Sequence, residues 1–598
     1  MRVVSSCIVA GFVVGAGAVS PAAAQSAPPP ELPRVREEVV VTASLAPLPG
    51  DAVGRGVTIV RRDEALRLGV TSIIEALRLV PGVDVKARGP RDVQTDFSIR
   101  GATFGQSLVL VDGFRLNDSQ SGHHNGEIPV PLVGMDRIEV VPGPGSAVHG
   151  ADALGGTINV ITRTDAHAVL DASAGQHGFV ATQASFSGRG LPDRWALTGW
   201  GARSSGFVFD RDFSQGGAAL RAAMTPGLVL DARHQRRAFG ANGFYGNSPS
   251  KEWTDQTMAT GVWRRASRTW TSEVRGLYRN HGDHFRWDIN RPGFAENRHR
   301  ADAVEATAIL RRDFAGGRRL TGGGGGGGDW IDSSNLGDHR YSRGYVFAEL
   351  QSPLGARATA QAGIRFDAYS TFGSAWTPAV AAAVRATDTL RLRGSAARAF
   401  RVPTYTELYY RDPAHSARAD LTPEDGWSID GSLDWTRSGW MASVSPFARW
   451  DANVIDWVRA APTDVWRTTN VRDVETRGVE LSLARSWHAA TLRTFYSALD
   501  VDAPKLDLLS KYVLEYAPHS FGAAVAAPIA GRSRAALRVD HRRRVAGDAA
   551  WLVNARLSHS VGRAELYVEG TNLLNEAYIE VPGVAMPGRW ITAGVWLR

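Results

Sequence analysis

The run MDRIEVVPGPGSAVHGADALGGTINVITR, residues 135–163, decides how the rest of the chain is read. Arg137 to Val141 (RIEVV) has the β-branched composition of a strand and runs into a Gly/Pro cluster, Pro142 to Ser146. A second strand-like run, Thr157 to Thr162 (TINVIT), leaves the glycine pair Gly155-Gly156. Two short strands therefore flank tight turns. On its own this describes a β-hairpin with glycine turns in any soluble protein, so the flanking sequence has to decide.

With 598 residues, the chain accommodates a small domain plus a very large β structure as well as it would four soluble domains. Its 64 glycines, 18 tryptophans and 21% charged residues suit an all-β protein with many turns. Met1 to Ala24 has a basic start at Arg2, a short apolar run from Cys7 to Val19, and Ala22-Ala23-Ala24 before Gln25, the pattern of a secretory signal peptide with its cleavage site. The apolar run is shorter than the ~20 residues a membrane-spanning helix needs, and no later stretch is longer. Cys7 is the only cysteine and leaves with that segment, which excludes disulfides and thiolate metal sites from the mature chain. Residues 25–50 begin with an Ala/Pro-rich, charged tether containing Pro28-Pro29-Pro30, expected to be disordered.

Residues 51–164 read as a small α/β domain. Thr71 is placed to cap a helix whose Ile73, Ile74, Leu77 and Val80 share one face, and Pro81-Gly82 stops it. Strands are expected at Phe97–Gly101 and Leu108–Gly113, the latter continuing into Phe114–Asn117. From residue 165 to 598 the pattern changes to short alternating runs. Val479, Leu481 and Leu483 oppose Glu480, Ser482 and Ala484; Leu390 and Leu392 oppose Arg391 and Arg393; Ala564, Leu566 and Val568 oppose Glu565, Tyr567 and Glu569. One face suits lipid and the other water, and Trp and Tyr gather at run ends, as in a transmembrane β-barrel with aromatic girdles. At roughly twenty residues per strand and turn, this length holds about 22 antiparallel strands. A barrel that wide needs its lumen filled, and the N-terminal domain is the filler.

The order PGV (81–83), IRG (99–101), VLVDG (109–113), RIEV and GPGSAxxGADAxGG resembles the plug of the TonB-dependent outer-membrane receptors. The barrel landmarks Phe400-Arg401-Val402-Pro403, Glu407-Leu408-Tyr409, Leu421-Thr422-Pro423-Glu424 and Gly570-Thr571-Asn572-Leu573-Leu574-Asn575 resemble that family as well. The resemblance implies a Gram-negative outer-membrane location and active transport rather than catalysis, with energy from the TonB-ExbB-ExbD complex. No nucleotide motif, HExxH or credible Ser/His/Asp grouping stands against this, and no nucleic-acid partner is expected. Glu38, Val39, Val40, Val41, Thr42 and Ala43 are similar to the TonB box. A β-branched run on a tether can add as a strand to a partner's sheet edge. A monomer in outer-membrane lipid is expected.

Within the resemblance, Arg100 and Arg137 are candidates to hold the plug in place by ion pairs with Asp430 and Glu480, if the latter two face the lumen. Asp118, Gln120, His123, His124 and Asn125, in the segment DSQSGHHN, occupy positions that reach the ligand at the plug apex in similar receptors. His123 and His124 point opposite ways in an extended segment, so the pair does not readily chelate one metal, and metal ligands stay unassigned. The plug is most similar to the cobalamin-receptor branch, and ferric-siderophore receptors share nearly all of it. The ligand is therefore expected to be scarce, large and metal-containing. Phe239–Trp253 and His281–His299 offer loop groups for it, and Asp210 and Asp212 suit a loop-bound calcium ion. No covalent cofactor is expected.

Three features depart from the family pattern. Pro142 stands where an Arg is usual. Gly322 to Gly328 gives a strand nothing to pack, which suggests close approach or flexibility. The run GRWITAGVWLR ends without the usual terminal aromatic; Ile591, Ala593, Val595 and Leu597 form its lipid-facing row, and the expectation is either less efficient recognition by the barrel-insertion machinery or partial substitution by Trp596. A passive porin would lack both plug and box, whereas a signalling receptor, the other alternative, usually carries an extra folded domain before the box.

Overall fold

The computed structural model describes residues 39–190, 193–246, 248–471, 473–487, 489–503, 508–545 and 549–598. The signal-peptide and tether readings, and Glu38, lie outside the described residues.

Beyond Thr164 the described strands close into a 22-stranded antiparallel barrel. Its first strand, Ala168–Gly175, pairs with its last, Trp590–Leu597, from Leu170↔Leu597 to Gly175↔Thr592. The alternation sorts the side chains. Leu392, Leu481, Leu566 and Val568 are 40–52% exposed on the outside, while Glu480 and Glu569 are 6% and 2% exposed on the inside. Exposed tryptophans form two belts: Trp263, Trp270, Trp435 and Trp487 near the short turns, and Trp330, Trp376, Trp427, Trp450 and Trp551 near the long loops. In the last strand the parity places Ile591, Ala593, Val595 and Leu597 outside. Trp596 faces inward, buried against Val133 and Val169, so it does not take the place of an outward terminal aromatic.

The glycine run is a well-formed strand, Arg319–Ser333. Its inward Gly323 and Gly325 lie directly across from Phe347 and Tyr345, whose rings occupy the space that glycine side chains would leave empty. Close approach is thus the correct half of the expectation: the rings lie over bare backbone, a known way of repairing glycine in a sheet.

The plug fills the lumen with a five-stranded mixed sheet. Its strands run in the order Thr58–Arg61, Met135–Pro142, Gly156–Thr162, Ser107–Val111 and Phe114–Arg115. The hallmark stretch supplies the two central strands and, between them, the one-turn helix Ser146–His149. Glycine is required at Gly143 and Gly150, where φ is +77° and +81°. Two expectations change. The strand expected to run on through Asn117 instead reverses at Asp112-Gly113 (φ +51° and +78°), making a tight hairpin with Val111 opposite Phe114. The helix Ile73–Leu77 is capped by Ser72, whose side chain accepts from the Glu75 N–H, whereas Thr71 binds the Glu75 carboxylate through its N–H and hydroxyl. On the short-turn side an open space of about 1310 Å³ remains between plug and wall, bordered by Arg67, Arg357, Arg385, Arg391 and Arg393.

Candidate functional site

Three regions carry the candidate residues: the box beneath the plug, the ion pairs along its flank and the loops above it.

Residues 39–43 are folded against the plug rather than hanging free. Val39 and Val40 pair with Pro49 and Leu48, and Val40, Thr42 and Ala43 are buried. The carboxylate of Glu139, itself fully buried, accepts from the N–H groups of Val41 and Thr42 at 3.0 Å and from the Thr42 hydroxyl at 2.6 Å. Asn159 donates to the same hydroxyl at 3.0 Å, and His149 Nε2 donates to the Thr42 carbonyl at 2.9 Å. Arg137 belongs to this latch. It pairs with Asp136 and Glu139 and donates to the Val39 carbonyl at 3.2 Å, so its partners lie in the plug and the box, and the expected pairing with the wall is corrected.

Arg100 does reach the wall. Its guanidinium grips Glu480 through two bonds of 2.8 Å, pairs with Asp430 and lies over the Phe447 ring. Arg100 and Glu480 are almost wholly buried, and Asp430 is partly buried. Further pairs join the two bodies: Glu64 with Arg493, Asp84 with Arg544, Asp112 with Arg233 and Arg78 with Glu580. The family landmarks around Arg401 form a similar knot. Arg401 binds Glu407 and Glu424, and Gln106 of the plug donates to Glu424 at 2.8 Å.

The five apex candidates divide. Asp118, Gln120, His124 and Asn125 are 3–4% exposed and face the wall or their own loop, not the vestibule. Asp118 pairs with Arg279 at 2.6 Å, Gln120 donates to Asp283 at 2.7 Å, and Asn125 accepts from the Asp118 N–H. His123 alone opens toward the loops. Its Nδ1–H donates to Asp96 at 2.9 Å, which leaves Nε2 to accept from the Tyr512 hydroxyl at 3.4 Å, and its ring stacks on Phe104. Burial holds its pKa below the usual histidine value despite Asp96.

From His123 a cluster of rings and cations continues through the long loops. Lys511 Nζ lies 2.9 Å from His415 Nε2 and above the rings of Tyr512, Trp466 and Trp457; His415 meets Trp457 edge-on, and Arg459 covers Trp466. Burial, followed by the nearby Arg88, lowers the Lys511 ammonium to about 8. These groups come from sequence-distant loops without periodic signal, and sequence reasoning missed them; only the density of Trp, Tyr and Lys could have marked them. Of the loops it named, 239–253 sends Phe239 and Phe244 down into a buried cluster with Val93 and Trp590. Asp212 pairs with Lys251 at 3.0 Å, and Asp210 beside it is pushed up to about 6 by burial and by Asp212.

The chain matches two family models, TonB-dependent Receptor Plug Domain over residues 51–157 and TonB dependent receptor-like, beta-barrel over residues 150–573. It is similar to the vitamin B12 transporter BtuB of Photobacterium profundum (26% identity, 78% of this chain and 79% of that one) and of Vibrio vulnificus strain YJ016 (24%, 75% of each). Among solved structures, the siderophore receptor PirA of Acinetobacter baumannii superposes with a TM-score of 0.73 at 15% identity, covering 91% of this chain and 98% of that one. FpvA of P. aeruginosa bound to heterologous pyoverdines gives 0.74 at 14%, covering 94% and 88%. The 22-stranded barrel, the plug inside it and the matches across both together place this chain in the TonB-dependent receptor family.

Proposed function

We propose that this chain takes up a scarce, large metal-containing ligand across the outer membrane of a Gram-negative bacterium, driven through TonB, ExbB and ExbD. The observation that carries the reading is the latched box: a segment suited to strand addition is held by Glu139 under a plug that fills the lumen. A passive pore has no use for such a handle. Ligand bound above would be coupled to release of residues 39–43 below, and pulling would then remodel the plug.

Cobalamin is the first reading, supported by relatives named as vitamin B12 transporters on both sides of 25% identity. A ferric siderophore is the second, favoured by the Lys511, His415, Trp457 and Trp466 cluster, which offers cations and flat rings to an anionic aromatic chelate. Loop-bound calcium at Asp210 and Asp212 belongs to the same proposal. The test is binding of cyanocobalamin and of ferric siderophores to the detergent-solubilised protein, followed by tryptophan fluorescence. Saturable binding of cobalamin alone supports the first reading and of a ferric chelate alone the second; binding of neither overturns both. Deleting residues 39–43 should abolish uptake and leave binding intact, whereas undiminished uptake would overturn the energised mechanism.

A further inference from the structure

One buried cluster belongs neither to the latch nor to the ring-and-cation platform. On the lumen side of the wall, close to the long loops, the strands Lys251–Ala266 and Trp270–Arg286 present Glu252, His281 and Asp283. The plug segment after Asn117 lays Asp118, His124 and Glu127 against them. Every one of these residues is at least nine-tenths buried, and His281 is wholly so.

The spacing is that of ligands around an ion. His124 Nδ1 lies 3.3 Å from Glu127 Oε1, and His281 Nε2 lies 3.6 Å from Glu127 Oε2; one donor atom from each of the three residues falls within 4.8 Å of the others. Strong hydrogen bonds between such charged groups would close to about 2.7–2.9 Å. A tetrahedral centre with bonds of about 2.0–2.2 Å has edges of about 3.3–3.6 Å, and the two histidine–Glu127 separations, one to each oxygen of that carboxylate, fall in this range. Neither ring nitrogen of His281 makes a well-aligned hydrogen bond. The surroundings are those of a supported ligand set. Asp118 Oδ2 stands 3.2 Å from His281 Nδ1 and is itself held by Arg279, and Thr254 donates to Glu127 Oε2 at 2.9 Å. A carboxylate behind a histidine fixes its tautomer and turns the other nitrogen toward the metal.

We propose that His124, Glu127 and His281 bind one divalent transition-metal ion of the zinc type, with Asp118 orienting His281, and that this ion ties the plug to the barrel wall. Two imidazoles and a carboxylate are a ligand set that Zn2+ accepts with a fourth position open. Because His281 comes from the wall and the other two ligands from the plug, occupancy crosslinks the two bodies. The site is independent of which ligand the receptor carries.

The test uses the full-length protein in detergent, stripped with EDTA and titrated with Co2+ and Zn2+. One equivalent should bind, Co2+ showing the visible bands of a low-coordinate N/O site, and Zn2+ should displace it. His281→Gln and Glu127→Gln should weaken binding by at least 100-fold, and Asp118→Asn by 10–100-fold. His299→Gln should leave it unchanged, and heat-modifiable migration on gels reports that each barrel is folded. Zn2+ should also slow hydrogen exchange of residues 118–128 in the wild type but not in His281→Gln. Absence of stoichiometric binding, or equal affinity in the folded His281→Gln protein, would overturn the proposal; binding without slowed exchange would overturn the crosslink.

Discussion

At the scale of single residues, the docking of residues 39–43, the segment proposed as the TonB box, is governed by Glu139 and His149. Glu139 accepts three bonds from Val41 and Thr42 through one oxygen of its buried carboxylate while the other pairs with Arg137, and hydrogen bonds to a charged group contribute about 1.5–3 kcal/mol each. Glu139→Gln keeps the shape and removes the charge, so docking should weaken by at least about 1.4 kcal/mol, a tenfold shift toward the free box. A cysteine introduced at Val41 should then react with a maleimide about tenfold faster; an unchanged rate would show that the latch lies elsewhere. His149 adds a pH dependence. Burial, then Arg55, Arg275 and Arg365, depress its pKa to about 3, against the opposing pull of the Thr42 carbonyl. With the box released, the ring regains water and moves back toward 6.5. The docked state therefore binds the fewer protons: its advantage is complete above about pH 6.5 and is lost as the pH falls toward 3, by up to about 1.4 kcal/mol per pH unit. Labelling of the Val41 cysteine, expressed relative to a free thiol at the same pH, should accelerate below pH 6.5 with His149 present and much less in His149→Gln, which cannot titrate.

At the scale of elements, alternation was legible because it is local. A two-residue period written in Val479 to Ala484 can be read without knowing any partner, and so could the strands on either side of the Gly/Pro cluster. The Asp112-Gly113 reversal was also written locally, since Asp-Gly between apolar runs is a hairpin signal, yet the continuous strand reading passed over it. The glycine strand was not readable, because its meaning sits on the next strand, where Tyr345 and Phe347 lie across from Gly325 and Gly323. That makes the glycines unequal. A Cβ on Gly325 would stand 2.7 Å from the Tyr345 hydroxyl and 2.8 Å from its ring, whereas one on Gly322 meets only the Phe347 carbonyl at 3.5 Å. Gly325→Ala should lower stability by about 1–3 kcal/mol, as overpacking does, and Gly322→Ala should be neutral or slightly stabilising. Thermal unfolding followed by gel migration in detergent distinguishes the two, and equal midpoints would refute the packing account.

At the scale of the molecule, the plug is a folded body joined to its barrel by many buried ion pairs as well as by apolar contacts. The plug contributes mostly acids (Glu64, Asp84, Asp112, Asp118) and the wall mostly arginines (Arg493, Arg544, Arg233, Arg279). None of these pairings follows from sequence, since the partners lie more than a hundred residues apart and are chosen by how the plug is rotated in the lumen. For the same reason the sequence alone proposed both Arg100 and Arg137 for the wall, whereas Arg137 lies on a plug strand beside residue 39 and only Arg100 reaches the wall. Arg100, with φ +54°, precedes Gly101 at a sharp bend that aims it outward at Glu480 and Asp430. Ion pairs of this kind can be broken in steps, which is compatible with the proposed remodelling of the plug by pulling. Glu480→Ala should be costly, about 3–5 kcal/mol, because it strips a buried guanidinium of its bidentate partner; Arg100→Met in the Glu480→Ala background should recover much of that loss. Urea titration of plug protection against proteolysis measures Glu480→Ala, Arg100→Met and the double variant. Strict additivity of the two single losses would mean that Arg100 and Glu480 act independently, and the plug would then have to be held by its other contacts with the wall.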